Sequence, residues 1–141
     1  MGFSVAAAAA IIVVSVLISV EIMVGSVIPN VEDFNYQFVD LKERAVEQIQ
    51  TDINITTVDI TAYGLNYNHS ITIENSGSIC LNTSDFVILI NGTNQEFSCS
   101  VSYLYAMKSA YFNVSNLPGD GPMRLKAITG NGISDIYEYI I

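Results

Sequence analysis

The chain has no tryptophan, one histidine, two cysteines and three prolines among its 141 residues. Each scarcity excludes something. A structural or catalytic zinc needs three or four ligands at recognisable spacings, and His69 with two distant cysteines does not supply that pattern. A serine–histidine triad would have only His69 to use, and no G-x-S-x-G elbow is present. His69 also alternates in phase with inward-looking strand residues, so it is read as a satisfied core histidine. Basic residues are few as well: five Lys and Arg stand against fourteen Asp and Glu, a net charge of −9. They are scattered, whereas phosphate binding needs a clustered positive stripe, so nucleic acid is excluded as a partner. The glycine-bearing segments "PGDGPMR" and "TGNG" match neither a P-loop nor a dinucleotide fingerprint. Asp120, in the first of them, is the one position left for a loosely held cation. The sequence therefore reads as non-enzymatic, with no cofactor.

What the sequence has in excess is a long apolar run. From Phe3 to Val20 there is no charge and only three serines, Ser4, Ser15 and Ser19. As a helix this stretch spans about 27 Å. Continuing past Glu21 to Ile28 takes it to about 39 Å, enough for a hydrocarbon core of about 30 Å. The run is apolar on every side, and the remaining chain is too small and polar to bury it, so a membrane is the expected surrounding. A cleaved signal peptide would carry a positive n-region and a shorter apolar stretch. The first basic residue is Lys42, although Gly25-Ser26 imitates a cleavage site. A pilin-type leader would place a glutamate five residues into the mature helix; counted from Phe3, that position is Ala7. The reading is a retained anchor.

Orientation rests on weaker signals. Lys42 and Arg44 follow the span and by the positive-inside rule slightly favour a cytoplasmic C-terminal side. Against them stand five Asn-x-Ser/Thr sequons, at Asn54, Asn68, Asn82, Asn91 and Asn113, all beyond the anchor. Such triplets also arise where Asn, Ser and Thr are common in turns and polar strand faces. Cys80 and Cys99 form an even pair, which fits one disulfide in an oxidising space. Bonded, they would clip the "DFVILIN" hairpin to the turn before it, closing a loop worth about 3 kcal/mol. The other reading is two buried free thiols. Together these features place the distal part outside the cytoplasm.

Apolar residues at Phe34, Phe38, Leu41, Ala45, Ile49 and Ile53 recur every three or four positions, which predicts an amphipathic helix from about Glu32 to Thr51. Pro29-Asn30 marks a kink or a helix start. The stripe fits either a helix packed on its own domain or a stalk paired with a partner helix. From Asn54 the period changes to two. "INITTVDITAY", "NYNHSITIEN", "DFVILIN", "EFSCSVSYL", "AYFNVSNL", "MRLKAIT" and "ISDIYEYII" read as short strands, with turns at Asn75-Ser76-Gly77-Ser78, Asn91-Gly92 and Gly130-Asn131-Gly132. In "EFSCSVSYL" the alternation puts Phe97, Cys99, Val101 and Tyr103 on one face. The predicted fold class is mainly β: an immunoglobulin-like antiparallel β-sandwich preceded by a long N-terminal helix, with a small barrel as the alternative. The expected organisation is a transmembrane helix over residues 1–29, a helical stalk over 30–53 and an extracytoplasmic sandwich over 54–141. Edge strands suited to partner pairing or homodimerisation are "YFNVS" and "ISDIYEYII". In the latter Tyr137 and Tyr139 share one face; they are either partner contacts or core.

Several blocks carry a likeness to a known family. "MGFSV" followed by small residues and "AII" resembles the start of the archaeal flagellar (archaellum) accessory protein F family. The likeness continues in "TDINITT" at 51–57, "ENSGSICLNTSDFVILING" at 74–92 and "GPMRLKAITGNGISD" at 121–135, in order along most of the chain. The resemblance implies a single-pass membrane protein whose β-sandwich lies in the pseudo-periplasm. It implies a grip on the surface-layer (S-layer) protein and a stationary role beneath a rotating filament, together with a companion archaellum protein G. A missing basic leader agrees with this family and disagrees with the archaellins. The Cys80–Cys99 pair is not expected of the family, and no S-layer-contacting motif transfers to named residues. Two other readings stand beside it: a pilin- or archaellin-like filament subunit, and a surface adhesin or sensor ectodomain.

Overall fold

Alternating apolar residues after Thr51 become strands in a computed structural model that describes residues 2–119 and 121–141. In chain order the strands are β1 (Ile53–Tyr63), β2 (Asn66–Asn75), β3 (Leu81–Asn82), β4 (Val87–Ile90) and β5 (Thr93–Gln95). They continue with β6 (Ser98–Cys99), β7 (Tyr103–Leu104), β8 (Ser109–Leu117), β9 (Pro122–Ile128) and β10 (Ser134–Ile140). All pairings are antiparallel. One sheet runs β1-β2-β8-β6, a second runs β10-β9-β4-β5, and β3 pairs with β7 in a two-stranded ribbon. Matched in chain order, those two sheets follow the ABED and GFC layout of immunoglobulin-like sandwiches, with one added strand beside C.

A single apolar core joins the two sheets. Ile53, Ile55, Ile71, Ile73, Phe112 and Val114 come from the first, and Ile88, Ile90, Met123, Leu125 and Ala127 from the second. Phe112 is fully buried and meets Phe86 and Phe97 at ring-centroid distances of 5.0 and 5.3 Å. The inward phase of β1 slips at Thr56, where the register with β2 shifts between Ile55 and Thr57. This bulge explains why Ile53 and Ile55 point inward and the next inward residue is Val58. The Ile55 amide donates to the Asp135 carboxylate of β10 at 2.8 Å, tying the edge strands of the two sheets together.

The turn at Asn75–Ser78 is the densest polar feature. Asn75 is fully buried, and its Nδ2 donates to the carbonyls of Ile79 (2.7 Å) and Leu104 (3.0 Å). Its Oδ1 accepts from the Gly77 amide at 3.0 Å. Gly77 and Ser78 then donate to the Asp52 and Gln50 carbonyls at 3.0 and 2.9 Å, so the turn grips the chain where helix gives way to β1. A Cβ at Gly77 would collide with the Gln50 carbonyl and the Asp52 amide, so the close approach requires glycine. On the other flank of the junction, Asn131 Nδ2 donates to Thr51 Oγ1 at 2.8 Å and Gln48 Nε2 donates to the Asn131 carbonyl at 3.0 Å.

The described residues divide into two compact units, one up to Glu43 and one from Arg44 to Ile141. The helical segment comprises α1 (Gly2–Ile22), a five-residue π-turn (Met23–Val27) and α2 (Ile28–Gln50). The sequence left a kink or a helix start at Pro29-Asn30; the structure runs through it with a widened turn. Proline has no N–H to donate and its ring crowds the carbonyl four residues back. Here the Ile28 amide reaches back to the Met23 carbonyl, and Asn30 Nδ2 supplies a donor to the Ser26 carbonyl at 2.7 Å. Ser15 and Ser19 return their hydroxyls to the Ile12 and Ser15 carbonyls at 2.8 Å each, which satisfies them within the helix. The helix is long and apolar enough to cross a membrane, and none of its residues is buried.

Two strand expectations need correction. "EFSCSVSYL" is not one strand: β6 pairs with β8, and β7 leaves to pair with β3. Between them Ser100 exchanges backbone and side-chain hydrogen bonds with Tyr111, and the inward phase changes from Phe97 and Cys99 to Leu104. "YFNVS" is not an edge, because β8 lies between β2 and β6.

Candidate interaction surfaces

Among the described residues no three His, Cys, Asp or Glu side chains group closely enough to hold a metal ion. Asp120 lies outside the described residues. The sandwich offers surfaces instead, and three of them are apolar. β10 is an edge strand whose ladder partner among the described residues is β9, and its outward residues are Ile136 and Ile140, 42 and 77% exposed, on either side of Glu138. Arg124 on β9 lies 3.7 Å from the Glu138 carboxylate, an exposed pair that leaves the flanking isoleucines open.

Tyr137 and Tyr139 point the other way. Both are half-buried against the core, and their rings lie 6.5 Å apart. The exposed apolar side chains of this strand are therefore the isoleucines that flank them, Ile136 and Ile140. Tyr139 also packs edge-on against His69 across the sheets, at 5.5 Å and 63°. His69 is a core histidine as expected, but not a satisfied one: among the described residues neither ring nitrogen has a hydrogen-bond partner, nor does the buried Tyr139 hydroxyl. Burial holds the His69 pKa below its usual value, outweighing the Tyr67 backbone, which acts to raise it, and burial pushes Tyr139 up to about 12.

A second surface follows from the broken "EFSCSVSYL" strand. Val101, Tyr103, Tyr105, Met107 and Tyr111 are all exposed, beside an open groove of about 480 Å³ that Lys108 also lines. Met107 adopts φ 58°, a left-handed conformation unusual outside glycine and asparagine. Its amide donates to the Asn75 carbonyl at 2.8 Å, so the buried Asn75 network fixes the turn that presents Met107. Simple alternation concealed this patch by assigning Val101 and Tyr103 to the same face as Phe97 and Cys99. The third surface is the β1–β2 hairpin tip, where Tyr63 is 66% and Leu65 98% exposed around Gly64.

Cys80 and Cys99 are free thiols, so the expected clip is not formed in this structure. The segment after Cys80 pairs through Leu81 with Leu104, whereas Cys99 pairs with Phe112 of β8, so the two cysteines serve different sheets. Nor are they two buried thiols, since Cys80 is exposed and Cys99 half-buried. The sequon asparagines Asn54, Asn82, Asn91 and Asn113 are exposed and Asn68 is half-buried.

No protein-family model matches the chain, and no curated protein does. Solved structures do. The archaellum periplasmic stator protein FlaG from Sulfolobus acidocaldarius superposes with a TM-score of 0.53 at 15% identity, over 63% of this chain and 99% of that one. A chain of the stator complex of FlaF and FlaG from the same organism gives 0.52 at 16%, over 62 and 87%. The archaeal flagellum of Methanospirillum hungatei strain JF1 gives 0.74 at 11%, over 94 and 91%. At these identities the likeness is one of fold: a β-sandwich shared with the stator proteins, and a helix-plus-sandwich plan shared with the flagellum subunit.

Proposed function

We propose that this chain is a membrane-anchored, non-enzymatic component of an archaellum. Its sandwich lies outside the cytoplasm, binds the S-layer and acts as part of the stator. The observation that carries this reading is the fold likeness to FlaG and to the FlaF–FlaG complex, in a chain that also has a helix long and apolar enough for a membrane. A stationary element must resist torque. One helix opposes extraction from lipid but not rotation or drift, so the restraint has to come from the sandwich gripping a fixed lattice. A companion subunit of the FlaG kind is the first partner to expect, with the β10 edge and its two exposed isoleucines as the pairing surface, and a homodimer through the same edge as the competing arrangement. The test is retention of the detergent-solubilised full chain on isolated S-layer at low and moderate salt. No retention at either would remove the envelope-binding role.

The near-complete overlap with the flagellum subunit favours a second reading, a filament protein of the pilin–archaellin kind. In that assembly the apolar helix would be covered by copies of itself instead of lipid. Recovery of the chain as the bulk component of sheared filaments would establish this second reading and overturn the stator. Mass spectrometry of the native N-terminus adds an independent check, since a filament subunit is processed.

A further inference from the structure

Five sequons are present, and the fold treats their asparagines differently. Asn68 and Asn113 lie on β2 and β8, each hydrogen-bonded to strands on both sides. Asn68 Oδ1 also accepts from the Asn116 amide at 2.9 Å. In the sequon of Asn54, the Thr56 hydroxyl is turned into the sheet and donates to the Thr72 carbonyl at 3.2 Å. Asn91 forms the hairpin turn with φ 49°; its Oδ1 accepts from the Arg124 amide at 2.8 Å and its Nδ2 lies 2.9 Å from the Met123 sulfur. Its amino group is therefore already engaged.

Asn82 is different. It lies at the end of the two-residue strand β3, followed by a single 3₁₀ turn over Thr83–Asp85. Asn82 and Ser84 are both exposed. The Asn82 Oδ1 accepts from the Ser84 amide at 3.2 Å and from the Ser84 hydroxyl at 3.0 Å. The residue between them is buried and pinned: the Thr83 hydroxyl donates to the Val101 carbonyl at 2.6 Å and its amide to the Ser102 carbonyl at 3.0 Å. The carboxamide and the hydroxyl two residues on are thus brought together on a fixed, outward turn. The carboxamide is held through its oxygen, and among the described residues no hydrogen bond engages Nδ2.

We infer that Asn82 is the preferred site of N-linked glycan attachment in this protein, an inference that rests on the sandwich lying outside the cytoplasm. The co-reactant is a glycan carried on a polyprenyl phosphate or diphosphate. Asn82 Nδ2 forms a bond to the anomeric carbon, and the carbon–oxygen bond to phosphate breaks with its electron pair leaving on the lipid phosphate. The Nδ2 proton passes to a base of the transferase, and nothing is oxidised or reduced. A glycan here would stand beside the groove lined by Asn82, Ser84, Ser100 and Tyr103, next to the tyrosine patch, and would shield that face from unintended contacts.

The test uses the full chain purified from membranes of its native host, with glycopeptide mass spectrometry across all five sequons. The expected result is Asn82 occupied in most molecules and to a greater extent than any other sequon. Ser84→Ala, which keeps the asparagine, should abolish the modification at Asn82, and Ser84→Thr should retain it. Equal occupancy at Asn82, Asn68 and Asn113 would overturn the inference, since the folded geometry would then make no selection; so would a bare Asn82 with glycan elsewhere. Labelling of exposed Cys80 on intact cells with a membrane-impermeant maleimide, on a Cys99→Ser background, separates this failure from failure of the location. Label without glycan overturns the inference alone, whereas no label and no glycan overturns both.

Discussion

Sixteen apolar residues are buried in the sandwich, while along Gly2–Gln50 the helix buries none, although its first half is the more apolar segment. Ile71, Ile88, Leu125 and Phe112 have lost all contact with solvent, and Ile11 and Leu17 remain 70 and 63% exposed. The sandwich thus carries its own hydrophobic stabilisation, of about 25 cal/mol for each Å² of apolar surface removed from water. The helix returns the Ser15 and Ser19 hydroxyls to its own carbonyls but buries none of its apolar side chains, so its stability in the cell is set by what surrounds it. Membrane retention and folding of the sandwich should therefore respond to separate sets of mutations.

The largest effect should come from a charge in the middle of the apolar run. Leu17→Arg places a guanidinium where translocation costs about 2.5–3.5 kcal/mol. We expect the variant to be extracted from membranes by alkaline carbonate while the denaturation midpoint of its sandwich is unchanged. A shifted midpoint would break the separation. In the opposite direction, residues 44–141 should unfold cooperatively without the preceding helix, because the buried core belongs entirely to that unit.

Next in size is Asn75→Ala. Removing one buried carboxamide takes away the donor to the Ile79 and Leu104 carbonyls and one of the two acceptors of the Gly77 amide. With a net value of about 1 kcal/mol for each bond, the loss should be about 3 kcal/mol in urea denaturation, with membrane retention untouched. Gly77→Ala should cost somewhat less, about 2 kcal/mol, because the added methyl meets backbone at the Gln50–Asp52 junction that can move only by loosening the turn. An equilibrium denaturation curve that matches the parent would refute the close approach at this turn.

Much of this was legible because local rules acted alone. Period two fixed the inward residues of β2 as Tyr67, His69, Ile71 and Ile73, and the skip from Ile55 to Val58 is the sequence signature of the β1 bulge. Asn91-Gly92 foretold a hairpin, realised with φ values of 49 and 80°. What stayed hidden depended on pairing between distant segments. Nothing near Val101 announces that β7 will leave β8 for β3. The same choice separates the strand partners around Cys80 and Cys99, opens the tyrosine patch and turns Asn82 outward. For β10, alternation showed two faces, but both are apolar, tyrosine on one and isoleucine on the other. Only the opposing sheet decides that the tyrosines face in. The Asn75 network was visible merely as a turn, since its acceptors at Leu104 and Ile79 are set by tertiary packing.

The smallest effect expected is the one that tests the polar flaw in the core. His69 is 1% exposed and both its nitrogens lack partners, so burial holds its folded pKa below the ordinary 6.5. The folded state therefore prefers the neutral imidazole. The stability tied to that preference is complete above about pH 6.5 and is lost as pH falls from there through the lower folded value. Tyr139 gives the mirror image: its folded pKa of about 12 exceeds the ordinary 10.0, so its contribution is intact below pH 10 and declines as pH rises from 10 towards 12. His69→Leu should flatten the part of the stability profile between pH 7 and 5 that the parent protein shows in excess of the variant. Tyr139→Phe should remove the part of the alkaline decline that the parent shows in excess of the variant between pH 10 and 12. At pH 7 the second variant should be as stable as the parent or slightly more so, because the hydroxyl it deletes has no partner to lose. A Tyr139→Phe variant destabilised at neutral pH would mean that the hydroxyl contributes to holding β10 against the first sheet. The sandwich would then stabilise its β10 edge with the same polar pair that is here a weakness of its core.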